Sequence, residues 1–278
     1  MASLIALYLN KPLTDIDSFI SKKMYGVGYT KNTKECINDF EKIKKALIVD
    51  DSIISGKSMN QAKEKLKDIN IELIYYVAYA TKNTSNMIDI YAKLIENPRV
   101  FEWNFIHHNN LINACTDMDG VLCVDPTEEE NDDGKKYRYF LLNAKPKYIP
   151  TRKVGYIVTS RLEKYRAETE EWLRKYNVSY NKLIMMNVAT AKERQALGNH
   201  AEYKAEIFKK LDDAYYFIES DANQAKKISE ITGKHVFCIN NEEFYKESLK
   251  NRIKNKLKNK IKKSPLYAVL NRLRGSKR

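Results

Sequence analysis

Residues 112–126 read INACTDMDGVLCVDP, and the rest of the chain is best read outward from them. An apolar lead-in runs into two aspartates two apart, then Gly120 and a further apolar pair. A buried strand ending at Cys115–Thr116 would hand both carboxylates to a loop at its carboxyl end. That is where open α/β sheets bind their ligands. Continued in extended form, the segment would point Asp117 and Asp119 the same way, so that they could share one cation. Two unpaired carboxylates beside apolar residues are costly unless a metal or a reaction holds them. Asp and Gly are also turn residues, but flanks this apolar do not suit a surface turn.

Downstream, short apolar runs alternate with helical periods. VGYIV (154–158), KLIMM (182–186), AYYFI (214–218) and HVFCI (235–239) read as strands. Amphipathic helices are expected over 162–176 and 200–211, and from after Glu219–Ser220–Asp221 to about residue 232. Strands separated by helices of this length argue for a mainly parallel sheet. Residues 127–152, with the run EEENDDG, read as a polar, solvated loop, because contiguous carboxylates share no single geometry.

The composition, 43% hydrophobic and 11% aromatic, is that of a folded chain. The formal charge of +13 misleads if read globally. Residues 246–278 hold 13 Lys or Arg against Glu247, a net of +12 that leaves the body almost neutral. Nucleic-acid binding by the body therefore has no electrostatic basis. Cys36, Cys115, Cys123 and Cys238 lie far apart without CxxC spacing, which excludes a zinc knuckle or disulfide framework and fits the reduced thiols of a cytoplasm. MASLIALYL is apolar but too short for a span and lacks a basic leader. His107 and His108 have no acid or thiol nearby in sequence and read as interface or surface residues.

In the first hundred residues the clearest element is KALIVDDSIISGKSM (45–59). A short buried strand leads to two carboxylates, a small-residue loop and a helix from about residue 58 to 67. Such a loop at a helix N-terminus presents free N–H groups and a positive dipole end to a phosphate. A Walker A loop is excluded, since Asp51 stands where its first glycine is needed. IELIYYVAY (71–79) reads as a strand, residues 85–95 as a helix ended by Pro98, and VFEWNF (100–105) as a short strand.

VDDSIISGKS resembles the ribose-phosphate-binding motif of type I phosphoribosyltransferases. The resemblance implies that Asp50 and Asp51 hold ribose hydroxyls and that Ser52, Ser55, Gly56, Lys57 and Ser58 hold the 5-phosphate, with phosphoribosyl pyrophosphate as a candidate ligand. In that family a strand and a pyrophosphate loop precede the helix that MASLIALYLNKPL resembles, so a shortened domain is expected.

Residues 111–245, in turn, resemble the haloacid dehalogenase superfamily of phosphotransferases. The likeness rests on DMDGVL, a hydroxyl at a strand end, a lysine on a helix and acids at a fourth strand end. It implies Asp117 as nucleophile, Asp119 as general acid and base, Thr159 as a phosphoryl ligand and Lys204 as the charge-neutralising cation, with Lys192 its rival. It also implies Mg²⁺ held by Asp117, the Asp119 carbonyl and Glu219 or Asp221. A carboxylate attacks a phosphate dianion only if cations offset the repulsion, and an oxygen-rich site without His or Cys suits magnesium. The spacings from Asp117 to Thr159 and from Thr159 to Lys204 leave no room for a separate cap domain. An open site is expected, either accepting a large substrate or covered by the first domain or a second subunit.

Leu249, Ile253, Leu257 and Ile261 form a narrow apolar stripe among basic residues, which fits a helix lying on an anionic membrane at the inner surface. Tyr267, the tail's single aromatic, gives bases little to stack on and argues against nucleic acid. The expectation is thus an α/β chain of two Rossmann-like three-layer domains, 1–110 and 111–245, with mainly parallel sheets and a basic helical tail, 246–278. Its expected activity is that of a Mg²⁺-dependent phosphatase acting on a sugar phosphate or phosphoribosylated product, in surface-polysaccharide or lipid-linked precursor synthesis. The alternative is a phosphoribosyltransferase, or a sensor or scaffold that binds phosphoribosyl pyrophosphate beside an idle phosphatase site.

Overall fold

A computed structural model describes residues 1–23, 25, 40–96, 98–188, 193 and 200–246. Cys36, Lys192 and the basic tail beyond residue 246 lie outside the described residues. The chain is α/β with mostly parallel sheets and divides into two compact units, Met1–Arg99 and Val100–Arg278. No helix among the described residues is long and apolar enough to cross a membrane.

The first unit holds helices α1 (Ala2–Tyr8) and α2 (Ile16–Ile20), strand β1 (Lys45–Ser52), helix α3 (Lys57–Lys65), and strands β2 (Glu72–Ala80) and β3 (Ile90–Leu94). The strands pair in parallel in the order β1-β2-β3. A small core of Ile53, Met59, Val77, Ala80 and Ile88 joins α3 to the sheet. The helix expected over 85–95 is instead a single 3-10 turn followed by β3. Met87, Ile90, Tyr91 and Leu94 match a helical stripe, but Ile90 and Tyr91 also suit a strand, and β2 offers its free edge to pair Tyr76 with Ile90 and Val77 with Tyr91. Tertiary pairing overrode the local period.

The second unit carries β4 (Ala114–Thr116), α4 (Lys135–Asn143), β5 (Val154–Leu162), α5 (Arg166–Lys175), β6 (Tyr180–Met186), α6 (His200–Lys210), β7 (Tyr216–Glu219), α7 (Ala222–Thr232), β8 (His235–Cys238) and β9 (Glu243–Tyr245). Its sheet runs β6-β5-β4-β7-β8-β9, parallel but for β9. Residues alternate between two cores as a strand requires. Ala114, Ile157, Ile218 and Phe237 meet α4 and α5 through Phe140, Leu141, Trp172 and Leu173. Cys115, Val158, Phe217 and Val236 meet α6 and α7 through Ala205, Phe208, Ala225 and Ile228. Residues 100–105 form a turn rather than the expected strand, with Phe101 and Trp103 stacked on each other. Helix α4, by contrast, lies inside the segment read as loop.

The order reverses at β4, with β5 on one side and β7 on the other. Such a switch point opens a crevice at the carboxyl ends of the strands, and Asp117 is the first residue past β4.

Candidate functional site

Past Asp117 the chain does not continue extended. The amides of Leu122 and Cys123 both bond back to the Met118 carbonyl, at 2.9 and 3.2 Å, closing one helical turn. Met118, Val121 and Leu122 are fully buried and pin that turn to the core. Gly120 has φ +75, and a Cβ there would lie 2.2 Å from Ser220 Oγ, so the loop after β7 leaves no space for a side chain. With the turn in place, Asp117 pairs with Lys204 and Asp119 with Arg161.

Asp117 is buried, and its amide donates to the Ile218 carbonyl at 3.0 Å. Its Oδ1 accepts the Met118 amide at 2.8 Å, and its Oδ2 accepts Lys204 Nζ at 2.6 Å. The same ammonium donates to Glu219 Oε2 at 2.7 Å and Gln224 Oε1 at 3.1 Å. Both carboxylates and the lysine are almost wholly buried. Burial opposes the Lys204 charge, but Asp117 and then Glu219 overcome it and hold the amine above its ordinary range. Asp117 itself is raised, first by burial, then by Glu219 and Asp119, against the pull of Lys204. One ammonium between two buried carboxylates leaves the cluster short of positive charge.

Asp119 is gripped by Arg161. Nε reaches both carboxylate oxygens at 3.1 and 3.2 Å, and Nη2 reaches Oδ1 at 2.6 Å. Arg161 is itself buried and also contacts Cys123 Sγ at 3.2 Å and Thr169 Oγ1 at 3.4 Å. Its burial would lower the guanidinium, yet Asp119 raises it, so it stays charged. Thr159 lies two residues before it on β5, and its hydroxyl accepts the Arg161 amide at 3.2 Å. Asp117, Asp119, Thr159 and Lys204 all line one pocket of about 170 Å³, together with Ser160, Arg161, Asp125, Asn131, Tyr137, His200 and Gln224. Ser160 Oγ is buried without a hydrogen-bond partner among the described residues.

Glu219 and Asp221 have separate duties. Glu219 closes β7, fully buried, with Oε1 taking the amides of Ser220 at 3.0 Å and Asp221 at 3.3 Å. Asp221 is exposed and caps α7 through the Gln224 amide at 2.8 Å. Among the described residues no three His, Cys, Asp or Glu side chains gather to hold a metal. A hard cation needs fewer, since Mg²⁺ keeps several waters and takes one or two carboxylates with substrate oxygens. The oxygen-only donors, and two buried carboxylates, Asp117 and Glu219, that share one ammonium, fit such an ion.

In the first unit, Asp50 and Asp51 stand near the carboxyl end of β1, with the Asp51 amide donating to Asp50 Oδ1 at 2.9 Å. Neighbouring strand residues face opposite sides. Burial raises Asp50, opposed by that amide and reinforced by the Asp51 charge. Ser52 donates to Asp51 Oδ1 at 3.2 Å, and Ser55 Oγ takes the Lys57 amide at 3.4 Å. Gly56, at φ +75, is the N-cap of α3, with Lys57 and Ser58 in its first turn. Arg99 is buried near the Asp51 charge; burial lowers it and Asp51 opposes that.

Several features were missed in the sequence. Arg161 sits two residues past Thr159, so strand alternation alone would have put them on one side. Tyr137, Phe140 and Leu141 are the buried residues of α4, a spacing of three and four that marks a helix. The loop before it is not merely solvated, since Asn131 and Tyr137 form a pocket wall. His107 hydrogen-bonds Thr151 at 3.0 Å, and His108 caps the following turn through the Asn110 amide at 3.1 Å. Searches against protein-family models, curated proteins and solved structures found no match for this chain.

Proposed function

We propose that the second unit is a Rossmann-like phosphomonoester hydrolase of the haloacid dehalogenase type. The observation that carries this reading is the Asp117–Lys204–Glu219 cluster at the sheet's switch point, with Asp119 and Thr159 in the same pocket. Asp117 attacks phosphorus and takes the phosphoryl group as an acyl phosphate, while the ester oxygen leaves with a proton from Asp119. Asp119 then takes a proton from the water that releases phosphate. Thr159 and the open Ser160 hydroxyl meet the phosphoryl oxygens, Lys204 offsets the charge of Asp117 and of the transferring group, and Arg161 orients Asp119. Mg²⁺ would be held by Asp117, the Asp119 main-chain carbonyl and Glu219, and would offset repulsion between nucleophile and phosphate. Phosphate release from a panel of sugar phosphates, with and without Mg²⁺, tests the reading. Asp117→Asn should lower the rate at least about a thousandfold, and an unchanged rate refutes it.

A second reading concerns the first unit. Gly56 in the left-handed conformation opens α3 four residues past the end of the strand that carries Asp50 and Asp51, an arrangement suited to a ribose 5-phosphate. We propose that this unit binds phosphoribosyl pyrophosphate or a product bearing the same group. Calorimetric titration decides it, and no heat with that ligand removes the assignment.

A further inference from the structure

We infer that the second unit acts on phosphomonoesters whose leaving group carries a second anionic group, a carboxylate or another phosphoryl, and that Lys147 takes that group. The inference rests on the phosphatase reading and names its substrate class.

Lys147 belongs to a short segment laid along the turn that carries Asp119. Its amide donates to the Leu122 carbonyl at 2.8 Å, and the Tyr148 amide donates to the Val121 carbonyl at 3.2 Å. The Val124 amide returns to the Lys145 carbonyl at 3.0 Å. Val121 and Leu122 are fully buried, so the backbone of Lys147 is tied to the core. Its side chain is exposed but turns back, with Nζ donating to the Gly120 carbonyl at 2.8 Å. Gly120 directly follows Asp119, which gives the leaving oxygen its proton. A Cβ on Gly120 would also lie 3.0 Å from Asp125 Oδ2, and Asp125 lines the pocket. The ammonium thus stands beside the acid that serves the leaving group.

Its partners set it apart from the other cations of the site. Lys204 is answered by the buried carboxylates of Asp117 and Glu219, and Arg161 by that of Asp119. Lys147 Nζ has the neutral Gly120 carbonyl, a longer contact to Asn240 Oδ1 at 3.4 Å and the Tyr148 ring at 5.6 Å. Asp125 feels its charge more than that of Lys204, yet no ion pair joins Lys147 to a carboxylate among the described residues. An ammonium has three donors, so one remains for a ligand. The neutral partners aim the charge without cancelling it, and an anion binds an ammonium more strongly than the Asn240 amide does.

Paired esters that differ only at the far end form the test. Glycerol 3-phosphate against 3-phosphoglycerate, erythritol 4-phosphate against 4-phosphoerythronate, and sorbitol 6-phosphate against 6-phosphogluconate set a hydroxymethyl against a carboxylate at increasing reach. Fructose 6-phosphate against fructose 1,6-bisphosphate does the same for a second phosphoryl, so the pair that responds tells the two anions apart. With the full chain and Mg²⁺, kcat/KM should favour the more anionic member of at least one pair by about tenfold or more. Lys147→Gln should bring that ratio close to one, and Lys147→Arg should keep most of it. No such preference in any pair, or one that Lys147→Gln leaves unmoved, overturns the inference. Binding of the same pairs, measured by calorimetry, separates it from the reading beneath it. A binding preference erased by Lys147→Gln, with no turnover in either protein, keeps the anion site and removes the phosphatase. Turnover without preference does the reverse, and failure of every ester to bind or react removes both.

Discussion

Asp117 is held in a place that disfavours its own charge. Burial raises its carboxyl to about 7, against roughly 3.9 for a free aspartate. The folded protein therefore binds more protons at this group than the unfolded chain does, and its stability falls as pH rises between those values. In EDTA, the urea midpoint of the wild type should drop between about pH 4 and about pH 7 more steeply than that of Asp117→Asn; parallel slopes would exclude the group. Lys204 is the other half of the balance. Lys204→Met would leave Asp117 and Glu219 buried without their ammonium, at a cost of about 3–5 kcal/mol in urea unfolding at neutral pH. A cost under about 1 kcal/mol would mean that the cluster relaxes or takes up a proton freely. Arg161→Lys keeps the charge but loses the two-pronged grip on Asp119. A fall of roughly tenfold to a hundredfold in kcat, with a shifted limb in the pH–rate profile, would show positioning; a fall in stability alone would show a merely structural role.

At the scale of elements, the turn after β4 explains why the sequence reads DMDG. Gly120 is in the left-handed region with Ser220 against it, so Gly120→Ala should destabilise by at least about 1–2 kcal/mol from backbone strain alone and lower phosphate release with it. Calorimetric melting and a phosphate assay on the same preparation check both. This element was legible as a strand end delivering two acids, because burial and β-branching signal a strand locally. Its bend was not, since an extended continuation satisfies the same alternation, and the close approach of Ser220 is a long-range fact. The strands near 154, 182, 214 and 235 stand where their apolar runs placed them. Residues 85–95 did not follow their period, because a parallel neighbour supplies hydrogen bonds that no local pattern records. Lys204 was legible by its order along the chain, whereas the grip of Arg161 on Asp119 needed β4 and β5 side by side.

Across the whole molecule, each unit puts acidic residues near the carboxyl end of a parallel strand, yet the two sets differ in kind. In the second unit the carboxylates are paired with buried cations. In the first they precede a glycine-opened helix, an arrangement suited to holding a phosphate. Separate chemistry predicts separate losses: Asp51→Asn should weaken phosphoribosyl pyrophosphate binding by roughly tenfold and leave phosphate release by the second unit in place, as titration and assay on one preparation would show. The central claim is that phosphate passes through Asp117. Acid-quenching a single turnover of a ³²P-labelled phosphate ester, followed by peptide mapping, tests it most directly. The expected result is label on the peptide containing Asp117, released by hydroxylamine and absent from Asp117→Asn. Turnover with no covalent label, or equal labelling of Asp117→Asn, would contradict it.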